Sequence, residues 1–260
     1  MEKLCFFFDI DGTLCDGENN YMPQSTQVAV NKLQELGHIC AIATGRSYLG
    51  CKSVAEKLAI QYCVCDGGNS VYVGNECVSI TGIDVELCKA LEAYCKEHGL
   101  VCVKIDNEHY YYDHRVAEME ATHPWITYNG TTPKEDAVIM KIGILASVEE
   151  EKKIRDTFDF NFTTFRGTRF MVTDQDNKHV GIERCIKLMG YTGKHIVFGD
   201  SMNDIKMFAN ADYSVCMGQA KEEVKQKADY VTSSLEEDGI YHACEALGYF
   251  EVEYEEGKDQ

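Results

Sequence analysis

The chain has 260 residues, 45% hydrophobic and 26% charged, which suits one large domain or a core domain carrying an inserted one. Its formal net charge is -18 and no run of Lys and Arg offsets it, which speaks against nucleic acid or an anionic membrane as partner. The first apolar run ends at Asp9, too soon for a signal peptide, and no later stretch is long and apolar enough to span a bilayer, so a cytoplasmic protein is expected.

In chain order, Leu4 to Phe8 reads as a strand buried on both faces. Ser25 to Leu36 has helical spacing and stops at Gly37; His38 to Ala43 is a second buried strand. Leu49 to Leu58 is helical, and Tyr62 to Cys65 is a third strand before Asp66-Gly67-Gly68. This alternation predicts a parallel sheet with helices on both faces.

The middle reads differently. An amphipathic helix spans Asp84 to Glu97, strands follow at Leu100 to Ile105, His109 to Tyr112 and Ala137 to Ala146, and Val148 to Asp156 is helical. Phe160 to Phe165 pairs with Arg169 to Thr173. Hairpin-like pairs with flanking helices predict an α+β insertion over 82–172, with the core in 1–81 and 173–260. The last part resumes the first rhythm: a helix over Val180 to Met189, a strand over His195 to Phe198, a helix over Asp204 to Ala209, a strand over Tyr213 to Met217, a helix over Glu222 to Lys227 and a short strand over Tyr230 to Thr232. The 13 cysteines lack any Cys-x-x-Cys pair and are read as buried thiols of a reducing compartment.

Ligands of open α/β sheets bind at the carboxyl ends of the strands, and four such places carry reactive side chains. Asp9-Ile10-Asp11-Gly12-Thr13 puts two carboxylates two residues apart, on one side by strand period, just past a buried strand. A carboxylate there can attack phosphorus and its neighbour can shuttle the proton; the same pattern also occurs in turns with solvated acids. Thr44-Gly45-Arg46 offers a hydroxyl and backbone N–H groups at a strand-to-helix turn, suited to a phosphate oxygen or to capping. Lys178 stands just before a helix, where it would neutralise phosphate charge if placed beside the acids. Gly199-Asp200-Ser201-Met202-Asn203-Asp204 gathers hard oxygen ligands of the kind Mg2+ takes.

Together and in this order these motifs resemble those of the haloacid dehalogenase (HAD) superfamily. The C-terminal pattern from Met217-Gly218-Gln219 through Asp229-Tyr230-Val231 to Asp238-Gly239-Ile240 is similar to its Cof-type (subfamily IIB) phosphatases. The resemblance implies a Rossmann-like doubly wound parallel sheet with a C2-type cap as the insertion. It implies Asp9 as nucleophile, Asp11 as general acid/base, and Mg2+ held by Asp9, Asp200 and the backbone of Asp11. Thr44, Gly45, Lys178 and Asn203 would bind phosphate, with Asp204 orienting Lys178 or the metal waters. Asp66 and His179 depart from the family pattern.

The implied substrate is a small phosphorylated metabolite such as a sugar phosphate. A phosphomutase using the same nucleophile, or a catalytically idle phospholigand-binding protein, remains open at this point. The cap must recognise the leaving group, and the basic candidates are Arg115, Lys141, Arg166 and Arg169, with Arg46 from the core. The sequence leaves the oligomeric state open, with a monomer the simplest expectation.

Overall fold

A continuous apolar run becomes a strand where both its faces are covered, and the first strand meets that condition. In the computed structural model, which describes residues 3–17, 21–107, 109–112, 116–117, 121, 128–130, 132–135, 137–164, 167–173 and 175–251, β1 (Cys5–Phe8) is wholly buried. Phe6 and Phe8 enter one hydrophobic cluster, Cys5 and Phe7 the cluster on the opposite face.

From β1 the chain continues through α1 (Gln24–Glu35), β2 (Ile39–Ala43), α2 (Tyr48–Lys57), β3 (Tyr62–Cys65), β4 (Ser70–Val73) and β5 (Glu76–Ile80). It then forms α3 (Val85–His98), β6 (Val101–Ile105), β7 (Tyr110–Tyr112), β8 (Lys141–Leu145), α4 (Val148–Thr157), β9 (Phe162–Thr164) and β10 (Phe170–Thr173). The last part supplies α5 (Lys178–Met189), β11 (His195–Gly199), α6 (Ile205–Ala209), β12 (Tyr213–Cys216), α7 (Glu222–Lys225), β13 (Tyr230–Val231) and α8 (Gly239–Ala246). α5 stops at Gly190, which takes the left-handed conformation (φ 62°) favoured at a helix end.

The chain divides into two compact units, one of residues 1–78 with 177–260 and one of residues 79–176. Among the described residues the first unit holds an eight-stranded sheet in the order β13-β12-β11-β1-β2-β3-β4-β5. It is parallel from β13 to β3, with Phe7 opposite Ala41 on one side and Val197 on the other. β4 runs antiparallel to β3, so the sheet expected to be parallel is mixed at one edge. The reversal passes through a 3₁₀ turn at Asp66–Gly68, where Gly67 (φ 66°) and Gly68 (φ 101°) take positive angles that side chains disfavour. α8, not anticipated from the sequence, buries Ile240, Ala243 and Cys244 in the cluster that α1 also enters.

The second unit is α+β. Its five described strands are ordered β7-β6-β8-β10-β9, and the neighbours pair antiparallel. Leu91 and Cys95 of α3 and Ile154 of α4 pack with Ile142, Ile144 and Met171 on one face. Val103, Ile105, Tyr112, Leu145, Phe170 and Val172 form a separate cluster on the other. No helix among the described residues is long and apolar enough to cross a membrane.

Candidate active site

Because β1, β2, β3, β11 and β12 run parallel, their carboxyl ends share one edge of the sheet. Asp9, Thr44, Asp66 and Asp200 each follow directly on one of those ends, and Gln219 lies three residues past β12. Lys178 reaches the same place from the first turn of α5.

Lys178 is the centre of the arrangement. Its Nζ donates to Asp9 Oδ1 and to Asp204 Oδ1, each at 2.7 Å, and approaches Asn203 Oδ1 at 3.5 Å. All three ionisable groups are buried, with Lys178 at 1%, Asp9 at 4% and Asp204 at 0% exposure, so any charge among them depends on its neighbours for the solvation that water would give. Burial alone would lower the Lys178 pKa, but Asp204 and Asp9 outweigh it and hold the ammonium charged. Burial pushes Asp9 up to about 8, opposed by Lys178 and reinforced by Asp204 and Asp200. Burial and Asp204 likewise push Asp200 up to about 7, while Lys178 and Gln219 act against them.

One oxygen each of Asp9, Asp200 and Asp204 fall within 4.8 Å of one another, a spacing that fits a cation. Asp204 has the poorest claim to be a ligand, because both its oxygens are engaged. Oδ1 takes Lys178, and Oδ2 accepts from the backbone N–H groups of Asp200 and Ser201, both at 3.0 Å. Asp200 Oδ1, by contrast, is buried without a hydrogen-bond partner among the described residues. A buried carboxylate oxygen left so is costly unless something positive meets it. Gly12 lets this happen: at φ 84° its missing Cβ would stand 2.2 Å from Asp200 Oδ2, so a side chain there would displace the carboxylate.

Asp11 leads away from this cluster. Its carboxylate accepts from Arg46 Nε at 2.9 Å and Arg46 Nη2 at 2.5 Å, a bidentate pair. Arg46 Nη1 donates in turn to the Gly50 carbonyl at 3.1 Å. The Arg46 backbone N–H donates to Thr44 Oγ1 at 3.1 Å, which leaves the buried Thr44 hydroxyl its own hydrogen to donate. Asn203 Oδ1 accepts from Ser201 Oγ at 2.7 Å, turning its amide nitrogen toward Gly45, 3.9 Å from where a Cβ would stand.

Of the residues expected from the sequence, the structure thus brings together Asp9, Lys178, Asp200, Asn203 and Asp204, with Asp11, Thr44, Gly45 and Arg46 beside them. Arg46 is committed to Asp11 rather than presented as a separate anion site. Asp66 is buried at positive φ (55°) and accepts from Ser70 Oγ at 2.7 Å, a structural turn. Arg169 stands just before β10, near Glu150 of α4. Lys141 opens β8 on the face opposite α3 and α4, with Gly143 and Leu145, beside Ile105 of β6. Arg115 and Arg166 lie outside the described residues. Sequence reasoning missed Gln219, whose Nε2 donates to the Gly12 carbonyl at 2.5 Å while its Oε1 accepts from Leu235 N at 3.1 Å. Its position just after a strand's carboxyl end was the signal available.

The family model of haloacid dehalogenase-like hydrolases matches residues 6–244. YkrA of Bacillus subtilis is 29% identical over 261 residues, covering 95% of this chain and 99% of that protein. The 5-amino-6-(5-phospho-D-ribitylamino)uracil phosphatase YcsE of Bacillus subtilis is 25% identical, covering 90% of this chain and 92% of its own. Among solved structures, the HAD subclass IIB sugar phosphatase BT4131 superposes with a TM-score of 0.77 at 28% identity, over 95% of this chain and 100% of the other.

Proposed function

This chain belongs to the haloacid dehalogenase-like hydrolase family, as a Cof-type phosphoric monoester hydrolase, and from that premise we propose that it removes phosphate from a small phosphorylated sugar or polyol through an aspartyl phosphate on Asp9. The observation that carries the reading is the buried Lys178 ammonium, held between Asp9 and Asp204 at 2.7 Å each beside Asp200 Oδ1, which has no partner among the described residues. An ion pair serving stability alone gives no reason to keep a third buried carboxylate oxygen beside it without a hydrogen bond.

In this reading a carboxylate oxygen of Asp9 attacks phosphorus as the ester oxygen departs, and Asp11 gives that oxygen its proton. Water then attacks the aspartyl phosphate, returning a proton to Asp11 and freeing Asp9. Lys178, the Thr44 hydroxyl, the Gly45 turn and the Asn203 amide hold the transferred group. Arg46 fixes Asp11, and Asp204 fixes Lys178. Mg2+ is the cofactor that the donor set fits; Asp9, Asp200 and the backbone carbonyl of Asp11 would hold it, and when bound it would neutralise charge on the transferred phosphoryl group. The inserted unit acts as the cap that selects the leaving group. The 13 cysteines, all free thiols, support a reducing, cytoplasmic setting.

The substrate class rests on the names of two relatives, one acting on a phosphorylated ribityl compound and one on sugar phosphates. Phosphate release from a panel of phosphorylated metabolites, with and without Mg2+, tests it. Turnover confined to sugar and polyol phosphates is expected. No release from any of them would overturn the reading, and turnover that needs a bisphosphate primer would replace it with a mutase.

A further inference from the structure

Three thiols meet in the core beneath the turns that carry Thr44 and Asp66, and the hydrolysis uses none of them. Cys51 lies near the start of α2; Cys63 and Cys65 lie two residues apart on β3, so their side chains leave the same face of the strand. All three are buried, and the sulfurs of Cys51 and Cys65 are 3.3 Å apart. Hydrogen bonds from the thiols of Cys63 and Cys65 favour the thiolate of Cys51 over the opposing effect of burial, and nearby Arg46 adds to them. Nucleophilic sulfur and a second sulfur in contact with it are the two parts that disulfide formation needs.

We propose that Cys51 and Cys65 form a peroxide-oxidisable dithiol that closes to a disulfide in the folded protein. The Cys51 thiolate attacks one oxygen of hydrogen peroxide, the O–O bond breaks, and hydroxide leaves as Cys51 becomes a sulfenic acid. The Cys65 thiol then attacks the Cys51 sulfur, the S–O bond breaks, and the hydroxyl leaves as water with the Cys65 proton. The proton lost earlier from Cys51 neutralises the hydroxide, so two thiols lose two electrons and one peroxide becomes two waters. Burial selects the oxidant: peroxide is small and uncharged, whereas a bulky disulfide or an alkylating reagent needs the thiol at the surface.

The pair is also tied to the site. Cys51 follows Gly50, whose carbonyl accepts from Arg46 Nη1 at 3.1 Å, and Cys65 precedes Asp66, whose N–H donates to the Arg46 carbonyl at 2.8 Å. Drawing the sulfurs to a bond length of about 2.0 Å moves both supports of the residue that holds Asp11. The bridged form therefore turns over more slowly; this second clause rests on the phosphatase reading, and the bridge itself does not.

The full chain, reduced and then freed of reductant, is treated with hydrogen peroxide, blocked with iodoacetamide under denaturing conditions and mapped by peptide mass spectrometry. The expected product is a peptide pair joined Cys51 to Cys65, lighter by two hydrogens and separated again by dithiothreitol. Turnover of p-nitrophenyl phosphate should fall as the bridge accumulates and return on reduction, while Cys51→Ser and Cys65→Ser should form no such bridge and keep their turnover through the treatment. No bridge in a protein that stays folded by circular dichroism, or a bridge between other cysteines, overturns the proposal. A complete bridge with unchanged turnover overturns its link to the site. An enzyme that hydrolyses nothing before oxidation defeats the phosphatase reading, and the mass map still decides the bridge.

Discussion

Arg46 grips both oxygens of Asp11, at 2.9 Å through Nε and 2.5 Å through Nη2, across 35 residues of sequence. A planar fork fixes the direction of a carboxylate, which a point charge does not. Arg46→Lys should therefore lower kcat/KM by about 10- to 100-fold, the range expected for losing a charged hydrogen bond of roughly 1.5–3 kcal/mol. The loss should be greater on an alkyl phosphate, whose leaving oxygen needs a proton, than on p-nitrophenyl phosphate, whose does not. Equal losses on both would remove Arg46 from the proton's path.

Asp9→Asn should abolish turnover with the fold intact. The amide keeps the size of the side chain, and Lys178 retains Asp204 at 2.7 Å. It is a far poorer nucleophile and metal ligand, so the loss in kcat should be on the order of 10⁴-fold or more. Purified, folded variant retaining even about a tenth of kcat would sink the assignment of Asp9 as nucleophile, given that both its proposed roles, attack on phosphorus and metal ligation, need the carboxylate.

Metal binding should be linked to protons. Burial pushes Asp9 up to about 8 and Asp200 to about 7, so both tend to carry a proton near neutral pH. Mg2+ takes their ionised forms, and its binding must expel that proton. The sign follows: apparent affinity for Mg2+ weakens as pH falls through this range and strengthens as it rises. Calorimetry in two buffers of different ionisation enthalpy should report net proton release. Activity should disappear in excess EDTA and return with Mg2+, and Ca2+ should restore it poorly because it expands the coordination shell. Full activity in EDTA, or binding with no proton release, would contradict this.

Lys141 and Arg169 make a paired test of the inserted unit. Lys141 lies on the face of its sheet with Ile105, Tyr112 and Phe170, whereas Arg169 stands just before β10 near Glu150 of α4, the helix that packs on the other face. Lys141→Ala should lower kcat/KM on the best natural substrate by about tenfold and leave p-nitrophenyl phosphate nearly untouched, because the lost contact reaches only the part the two do not share. Arg169→Ala should change neither. A reversed pattern would put leaving-group selection on the other face.

What was legible in the sequence follows what each signal depends on. β1 could be read from Leu4 to Phe8 because both of its faces are buried, which makes the apolar run unbroken. The four motifs could be read because parallel strands bring their carboxyl ends to one edge whatever the register. The β4–β5 pair has Gly74-Asn75 as its hairpin signal, but no residue of β5 is fully buried, so no clear apolar alternation marks the second strand. α8 was missed for its shortness, with Ile240, Ala243 and Cys244 the only apolar spacing to betray it. The Asp11–Arg46 pair and the bond from Gln219 to Gly12 join residues far apart in the chain, and no local pattern encodes them.

Gly68 has an evolutionary consequence. A Cβ on it would stand 2.0 Å from the Asn177 carbonyl oxygen, and one on Gly181 would stand 2.8 Å from the Gly68 backbone, while Asn177 N–H donates to the Gly67 carbonyl at 3.0 Å. Lys178 thus takes its address from a turn that is complete before the inserted unit begins. The roughly hundred residues between them can be lengthened, replaced or redirected toward a new metabolite, and the chain re-enters the core at the same spot with its ammonium in place. Selection can act on the choice of substrate without reopening the question of how the phosphoryl group is handled, which is the arrangement a lineage needs to spread one reaction over many metabolites.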